Sequence, residues 1–329
     1  MASIKIFLIG ILCLSTSYAQ LIPQRMLDPI SPDVSLMYKR GLNYLAKTQS
    51  SDGYWQDAMG SEPAVVGFAL LSILASGQHL ESEKYRTVAK KCVTQILSQQ
   101  GSETGYIGNS MYNHGFSTLA LAESYGAIDN PELGKGLTKA VGLILNAQAE
   151  NPEKAWRYTP TSIDADSTVT GCQIVALLAA QNAGIYIPQE AISDGLAYLE
   201  TCRTAEGTYG YTGNQSGKTT LTAIALLCQY LAKLEPTTET EKTVSYLKKR
   251  LNYRDQYYPF YFEYYMSQAL FQASPETWED WNKRNIRYLK LTQSNEGSWS
   301  GNHGTTYSTS AALLSLALNF RFMPIYERF

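Results

Sequence analysis

Two stretches at opposite ends of the chain, RGLNYLAKTQSSDGYW (40–55) and RNIRYLKLTQSNEGSW (284–299), share one frame. It reads aromatic-Leu, three residues, Gln, three residues, Gly, one residue, Trp. Internal repetition of this kind restricts the fold more than any other feature, because each copy must be one structural unit packed on its neighbours. The frame returns at AYLETCRTAEGTY (197–209), with Arg203 in place of Gln and Tyr209 in place of Trp. It returns again at QILSQQGSETGYI (95–107), where Leu97 and Gly105 hold the Leu and Gly positions. It is stretched at LILNAQAENPEKAW (143–156) and blurred at VSYLKKRLNYRDQY (244–257). Six copies begin near Leu45, Leu97, Ile144, Leu199, Leu247 and Leu289, at intervals of 42 to 55 residues.

Each copy has the same parts. An amphipathic segment of about 15 residues, apolar at helical spacing, leads into the frame. The Gly follows where a left-handed residue ends a helix. After a polar loop comes a second segment, such as VTGCQIVALLAAQNAG or STSAALLSLALNF, that is apolar nearly all round, as a helix buried on most sides must be. Six such pairs describe six inner helices inside six outer ones, an all-α (α/α)6 toroid over residues 32–329. The loops from outer to inner helix are the longer and more polar set, and they gather at one rim of the cavity. Function is expected there.

Residues Arg40, Gly41, Tyr44, Leu45, Gln49, Gly53 and Trp55 match the repeat of triterpene cyclases throughout, and the chain resembles that family over essentially its whole length. The resemblance implies the α/α toroid of squalene–hopene cyclases, protein prenyltransferase β subunits and the thioester domains of complement-like proteins. MYNHGFSTLALAESYG and the terminal RFMPIYERF also resemble secreted bacterial proteins with prenyltransferase/squalene oxidase repeats.

Residues 1–19 have the layout of a secretory signal peptide: Lys5, the apolar run IFLIGILCL, then small residues at Ser17 and Ala19. Leu12 before Cys13 does not suit a lipid anchor. Cleavage is expected after Ala19, with 20–31 a lead-in and the mature protein periplasmic or extracellular. No later run approaches the ~18 apolar residues of a spanning helix. The net charge of −2, without a basic stripe, gives no reason to expect nucleic acid. Cys92, Cys172, Cys202 and Cys228 are too sparse for a disulfide framework, although one bridge stays open.

The chemical candidates lie in the rim loops. SIDADSTVTG (162–171) resembles the D-x-D-D-T motif of class II terpene cyclases, whose middle Asp protonates an alkene. By that resemblance Asp166 is the proton donor and Asp164 its neighbour, while Ser167 stands where the family has a third Asp. The same Asp166 is equally the N-cap of the following helix. His114 and His303 each sit in an NHG tripeptide within a rim loop. Tyrosine is abundant, with 24 residues. Tyr112, Trp156, Tyr158, Tyr209, Tyr211, Tyr257, Tyr258, Tyr261 and Tyr307 fall in or beside the rim loops. Such aromatic faces suit a carbocation, a polyprenyl chain or a sugar ring.

The prenyltransferase zinc set needs an Asp-x-Cys, which is absent, so no metal and no cofactor are expected. The expected partner is an apolar small molecule, isoprenoid or similarly elongated, bound or transformed in the cavity. Two other classes stay open: a non-catalytic binding scaffold, and a carbohydrate-active toroid. The latter requires opposed carboxylates, for which Asp57, Glu62, Asp164, Asp166 and Glu263 are available.

Overall fold

The computed structural model describes residues 30–326; the stretch read as a signal peptide (1–19), most of the lead-in and the last three residues lie outside them. Twelve α-helices are found among the described residues. The outer helices are α1 (Pro32–Thr48), α3 (Glu83–Ser98), α5 (Leu133–Glu150), α7 (Gln189–Thr201), α9 (Thr238–Lys248) and α11 (Pro275–Thr292). The inner ones are α2 (Pro63–Leu74), α4 (Met111–Ser124), α6 (Ser167–Asn182), α8 (Thr219–Leu231), α10 (Pro259–Ala273) and α12 (Thr305–Ala317).

The two sequence patterns sort the helices as expected. Helix α1 buries Val34, Met37, Tyr38, Gly41, Leu42 and Leu45, a single stripe at three- and four-residue spacing. Helix α6 buries every residue from Ser167 to Ala180. Consecutive inner helices pack side by side, and α12 packs on α2, so the ring closes. Helices α1, α3, α5, α7 and α11 each bridge two inner helices. The fold is the (α/α)6 toroid.

The frame residues hold consecutive repeats together. Gln293 Nε2 donates to its own loop at Gly297 O (2.8 Å) and to Met37 O of α1 (2.9 Å). Gln49 does the same with Gly53 O and Val88 O of α3. Gln148 reaches Lys154 O and Ala191 O of α7. The frame Trp turns its indole N–H back on a carbonyl in the C-terminal half of its own outer helix: Trp55 to Leu45 O, Trp156 to Ile144 O, Trp299 to Leu289 O, all within 3.0 Å. Leu45 O and Leu289 O also accept from the C-cap amides of Gln49 and Gln293, so the indole takes the second lone pair of a helix carbonyl and ties the loop back to its own outer helix.

Two copies depart from the expected register. In the second, the fully buried residue is Ile96, not Leu97, which is only half-buried. Gln100 is the bridging amide, donating to Gly105 O and to Gly136 O of α5. The loop holds one extra residue between Gln and Gly, which shifts the apparent frame. In the fourth copy Arg203 replaces the amide bridge with charge, pairing with Glu200 (2.8 Å) and with Glu239 of α9 (3.6 Å).

The far end of the toroid is closed by the chain itself. After α12 the tail packs its short 3-10 turn, Pro324–Tyr326, on α6, which stands opposite α12 in the inner ring. Met323 and Ile325 are buried there.

Gly297 offers a direct test of the inter-repeat contact. Its φ is +96°, and a Cβ there would lie 2.5 Å from Arg40 O on α1. Gly297→Ala should therefore destabilise the protein by about 2–4 kcal/mol through strain and overlap. Denaturant unfolding measures this, and a change under about 0.5 kcal/mol, as for an ordinary surface site, would show that repeats six and one do not meet here.

Candidate functional site

All six inner-helix N-termini open on one mouth. Ala64, Tyr112, Thr168, Thr220, Tyr261 and Tyr307, one from the first turn of each inner helix, line a single cavity of about 1310 Å³. Its floor is aromatic. The Phe68 ring meets Phe116, Tyr264 and Tyr307 at centroid distances of 4.7, 5.0 and 5.3 Å, mostly edge to face.

One wall comes from repeats two to four. Tyr112, Tyr158 and Tyr211 line it, with the Tyr158 and Tyr211 hydroxyls bonded to each other and the Tyr112 hydroxyl bonded to Thr168 Oγ1. Behind them the Arg157 guanidinium lies 5.1 Å from the Tyr158 ring and 5.6 Å from the Tyr211 ring. The opposite wall comes from repeats five and six: Tyr253, Arg254, Asp255, Tyr257, Tyr258 and His303. Tyr258 and His303 stack with planes 3° apart and centroids at 5.3 Å.

The two aspartates of SIDADSTVTG separate completely. Asp166 is fully buried and caps α6: Oδ1 accepts from Thr168 N (2.8 Å), Val169 N (2.9 Å) and Thr168 Oγ1 (2.5 Å). Its Oδ2 has no hydrogen-bond partner and lies 3.8 Å from Arg157 Nε. Burial raises the Asp166 pKa, opposed by those hydrogen bonds and Arg157. Asp164 is 64% exposed and pairs with Arg157 Nη1 at 2.8 Å. Neither lines the cavity. Ser167, in the position of the family's third Asp, donates to Gly210 O, which an ionised carboxylate could not do.

Three further expected ligand contacts belong to the packing instead. His114 is buried one turn into α4, where Nδ1 accepts from Ile107 N and Nε2 therefore donates to Ala140 O. Burial lowers its pKa to about 4, so it stays neutral. Trp156 and Tyr209 occupy the frame's Trp position. Tyr209 is fully buried, donating to Glu200 Oε1 and accepting from Gln229. Tyr112, Tyr158, Tyr211, Tyr258, His303 and Tyr307 do come together at the cavity, joined by Tyr257 and Tyr261.

Of the remaining acidic candidates, Asp57 and Glu62 are hydrogen-bonded, while neither carboxyl oxygen of Glu263 has a hydrogen-bond partner. Asp57 Oδ2 accepts from Thr306 N and so caps α12 from another repeat. Glu62 lines the cavity and accepts from Asn113 Nδ2. Asp255, which the sequence did not single out, accepts from Tyr257 N, Tyr258 N and Thr220 Oγ1. Glu263 is fully buried, 3.5 Å from Arg254 Nε, and burial pushes its carboxyl up to about 8 against the pull of Arg254. Among the described residues no group of three or more His, Cys, Asp or Glu is placed to hold a metal ion. Cys92, Cys172, Cys202 and Cys228 are free and buried. No described helix is long and apolar enough to cross a membrane.

Two outcomes follow for the buried carboxyls. Asp166→Asn keeps an oxygen for the cap and should change stability by less than about 1 kcal/mol, whereas Asp166→Ala orphans three donors and should cost about 2–4 kcal/mol in chemical denaturation. Glu263 takes up a proton on folding, because its folded pKa is raised from 4.5 to about 8. Its stabilising contribution is full below pH 4.5 and is lost as the pH rises to about 8. In melts across that window the wild type should lose stability relative to Glu263→Gln. A difference independent of pH would place the ionised carboxylate in the fold.

No family model matches the chain, and no curated protein sequence does. Solved structures do. Type II terpene cyclase MstE from Scytonema, in complex with geranylgeranyl dihydroxybenzoate, superposes with a TM-score of 0.63 at 13% identity, covering 88% of this chain and 98% of that one. The GH76A α-1,6-mannanase from Salegentibacter gives 0.68 at 8%, covering 86% and 98%. A GH76 mannosidase from Bacteroides thetaiotaomicron gives 0.65 at 10%, covering 87% and 98%. These likenesses are of fold: the chain shares the (α/α)6 toroid of terpene cyclases and GH76 enzymes.

Proposed function

We propose that the protein is exported and that its cavity binds an elongated, largely apolar molecule of the isoprenoid class. The observation that carries this is the cavity: about 1310 Å³, with an aromatic floor beneath the phenol-rich walls. Its volume has room for a chain-like ligand, and its rings offer dispersion contacts and negative faces without demanding charge. Export rests on the signal-peptide pattern of residues 1–19. The terpene cyclase MstE, whose solved complex holds a geranylgeranyl compound in the same fold, supports the ligand class.

The role is binding rather than proton transfer from Asp166. An alkene protonation needs a neutral acid in contact with the substrate. Asp166 instead sits behind Thr168, with one oxygen held by three donors and an arginine beside the other.

A carbohydrate-active role is the second reading, favoured by the GH76 folds and by the two carboxylates, Glu62 and Asp255, that line the cavity. Against it, both are occupied by Asn113, Thr220 and backbone amides rather than left to face a glycosidic bond.

Native mass spectrometry with geranylgeraniol tests the proposal and should give a one-to-one adduct. Ala64 is half-buried on the cavity wall, so Ala64→Trp should fill the entrance and weaken that adduct about tenfold or more at unchanged melting temperature. Release of reducing sugar from α-1,6-mannan would replace the reading with the glycan one. Turnover of the prenyl compound, abolished in Asp166→Asn with the fold intact, would restore Asp166 as an acid catalyst.

A further inference from the structure

Given that binding function, we infer that the cavity recognises its ligand by a hydroxyl group, which donates a hydrogen bond to Tyr112. The direction of one hydrogen-bond chain carries this. Asp166 Oδ1 faces the backbone N–H groups of Thr168 and Val169, so it is an acceptor whether or not the carboxyl is ionised. A proton, when present, sits on the unpartnered Oδ2. Thr168 Oγ1, 2.5 Å from Oδ1, must then donate to it. A threonine hydroxyl has one hydrogen, so the same Oγ1 can only accept from the Tyr112 hydroxyl bonded to it. The hydrogen of Tyr112 is thereby committed to Thr168. What Tyr112 offers the cavity is lone pairs, and the ligand has to bring the donor.

The neighbouring residues supply the complementary half. In the Tyr158–Tyr211 pair one hydrogen makes the mutual bond and the other stays free. The Arg157 guanidinium over both rings draws electron density from the phenols and makes that hydrogen a better donor. The Tyr112 and Tyr158 rings are adjacent, with centroids 6.1 Å apart. An acceptor beside a donor matches an alcohol, which is both at once. An ether, a ketone or a hydrocarbon end brings no donor and leaves the Tyr112 lone pairs without one. The alcohol can belong to a prenyl chain or to a sugar; the chemistry at Tyr112 is shared.

The test is calorimetric titration of the full mature chain with geranylgeraniol, its methyl ether and α-1,6-mannotetraose. The wild type should bind the alcohol about tenfold or more tightly than the ether, the weight of one hydrogen bond left unmade. Tyr112→Phe should bring alcohol and ether within about twofold of each other while ether affinity holds, a change in ratio that a purely structural role would not produce. Thr168→Val keeps the phenol and frees its hydrogen, so ether binding should rise towards that of the alcohol even if Tyr112→Phe folds poorly. Equal binding of alcohol and ether by the wild type would overturn hydroxyl recognition and leave the isoprenoid function standing. Mannotetraose bound in place of both prenyl compounds, and lost in Tyr112→Phe, would keep hydroxyl recognition and overturn the isoprenoid function. Binding of none of the three would overturn both.

Discussion

The carboxamide of Gln293 uses both of its hydrogens, one on its own loop and one on the backbone of α1, and thereby joins the last repeat to the first. The same double donation recurs at Gln49, Gln100 and Gln148. Beside it, the frame glycine presses its bare Cα against a carbonyl of the next outer helix: Gly53 on Lys91, Gly105 on Lys139, Gly297 on Arg40. Any side chain there would push the repeats apart. Arg40 Nη2 on Ser294 O and Lys290 on Asp33 reinforce the closing contact. Because the array closes, no repeat is terminal, and none needs the polar outer face that an open solenoid requires at its ends.

Closure sets the stage for the cavity, and irregularity furnishes it. Where the frame is strict, in repeats one and six, its residues are consumed by packing. Where it is blurred, in repeat five, the segment between α9 and α10 leaves the pattern and supplies Tyr253, Arg254, Asp255, Tyr257 and Tyr258 to one wall. On that wall the carboxylate of Asp255 is held by helix-end amides, and Arg254 lies beside the buried carboxyl of Glu263. The lumen that results is aromatic and hydrogen-bonding rather than strongly charged.

The architecture was legible in the sequence because packing contacts repeat. Helical spacing separated outer from inner helices, and the Gln, Gly and Trp positions recur because the same inter-repeat contact recurs. The site was legible only in part. His114 and His303 share the tripeptide NHG, yet α4 begins three residues before His114 and α12 begins two residues after His303. One histidine is therefore inside a helix and buried, and the other is in the loop at the rim. Trp156 and Tyr209 were drawn to the rim by their aromaticity, although their place in the frame already assigned them to packing. Phe68 and Phe116 went unnoticed because inner helices are buried all round, and no periodicity marks the face that meets the lumen. The direction in which Asp166 points depends on Thr168 and Arg157, a three-residue geometry that spacing alone does not encode.

The tail that crosses from α12 to α6 gives the toroid a bottom. Above it the ring cluster around Phe68 already ends the lumen, which is a cup and not a channel. A chain-like guest has to enter end-on and back out by the same rim, so the end that goes in last comes out first. Loading and unloading then share one gate past Tyr158 and Tyr258, and a second guest cannot displace the first from behind. Exchange in such a vessel is sequential, at a rate set by departure.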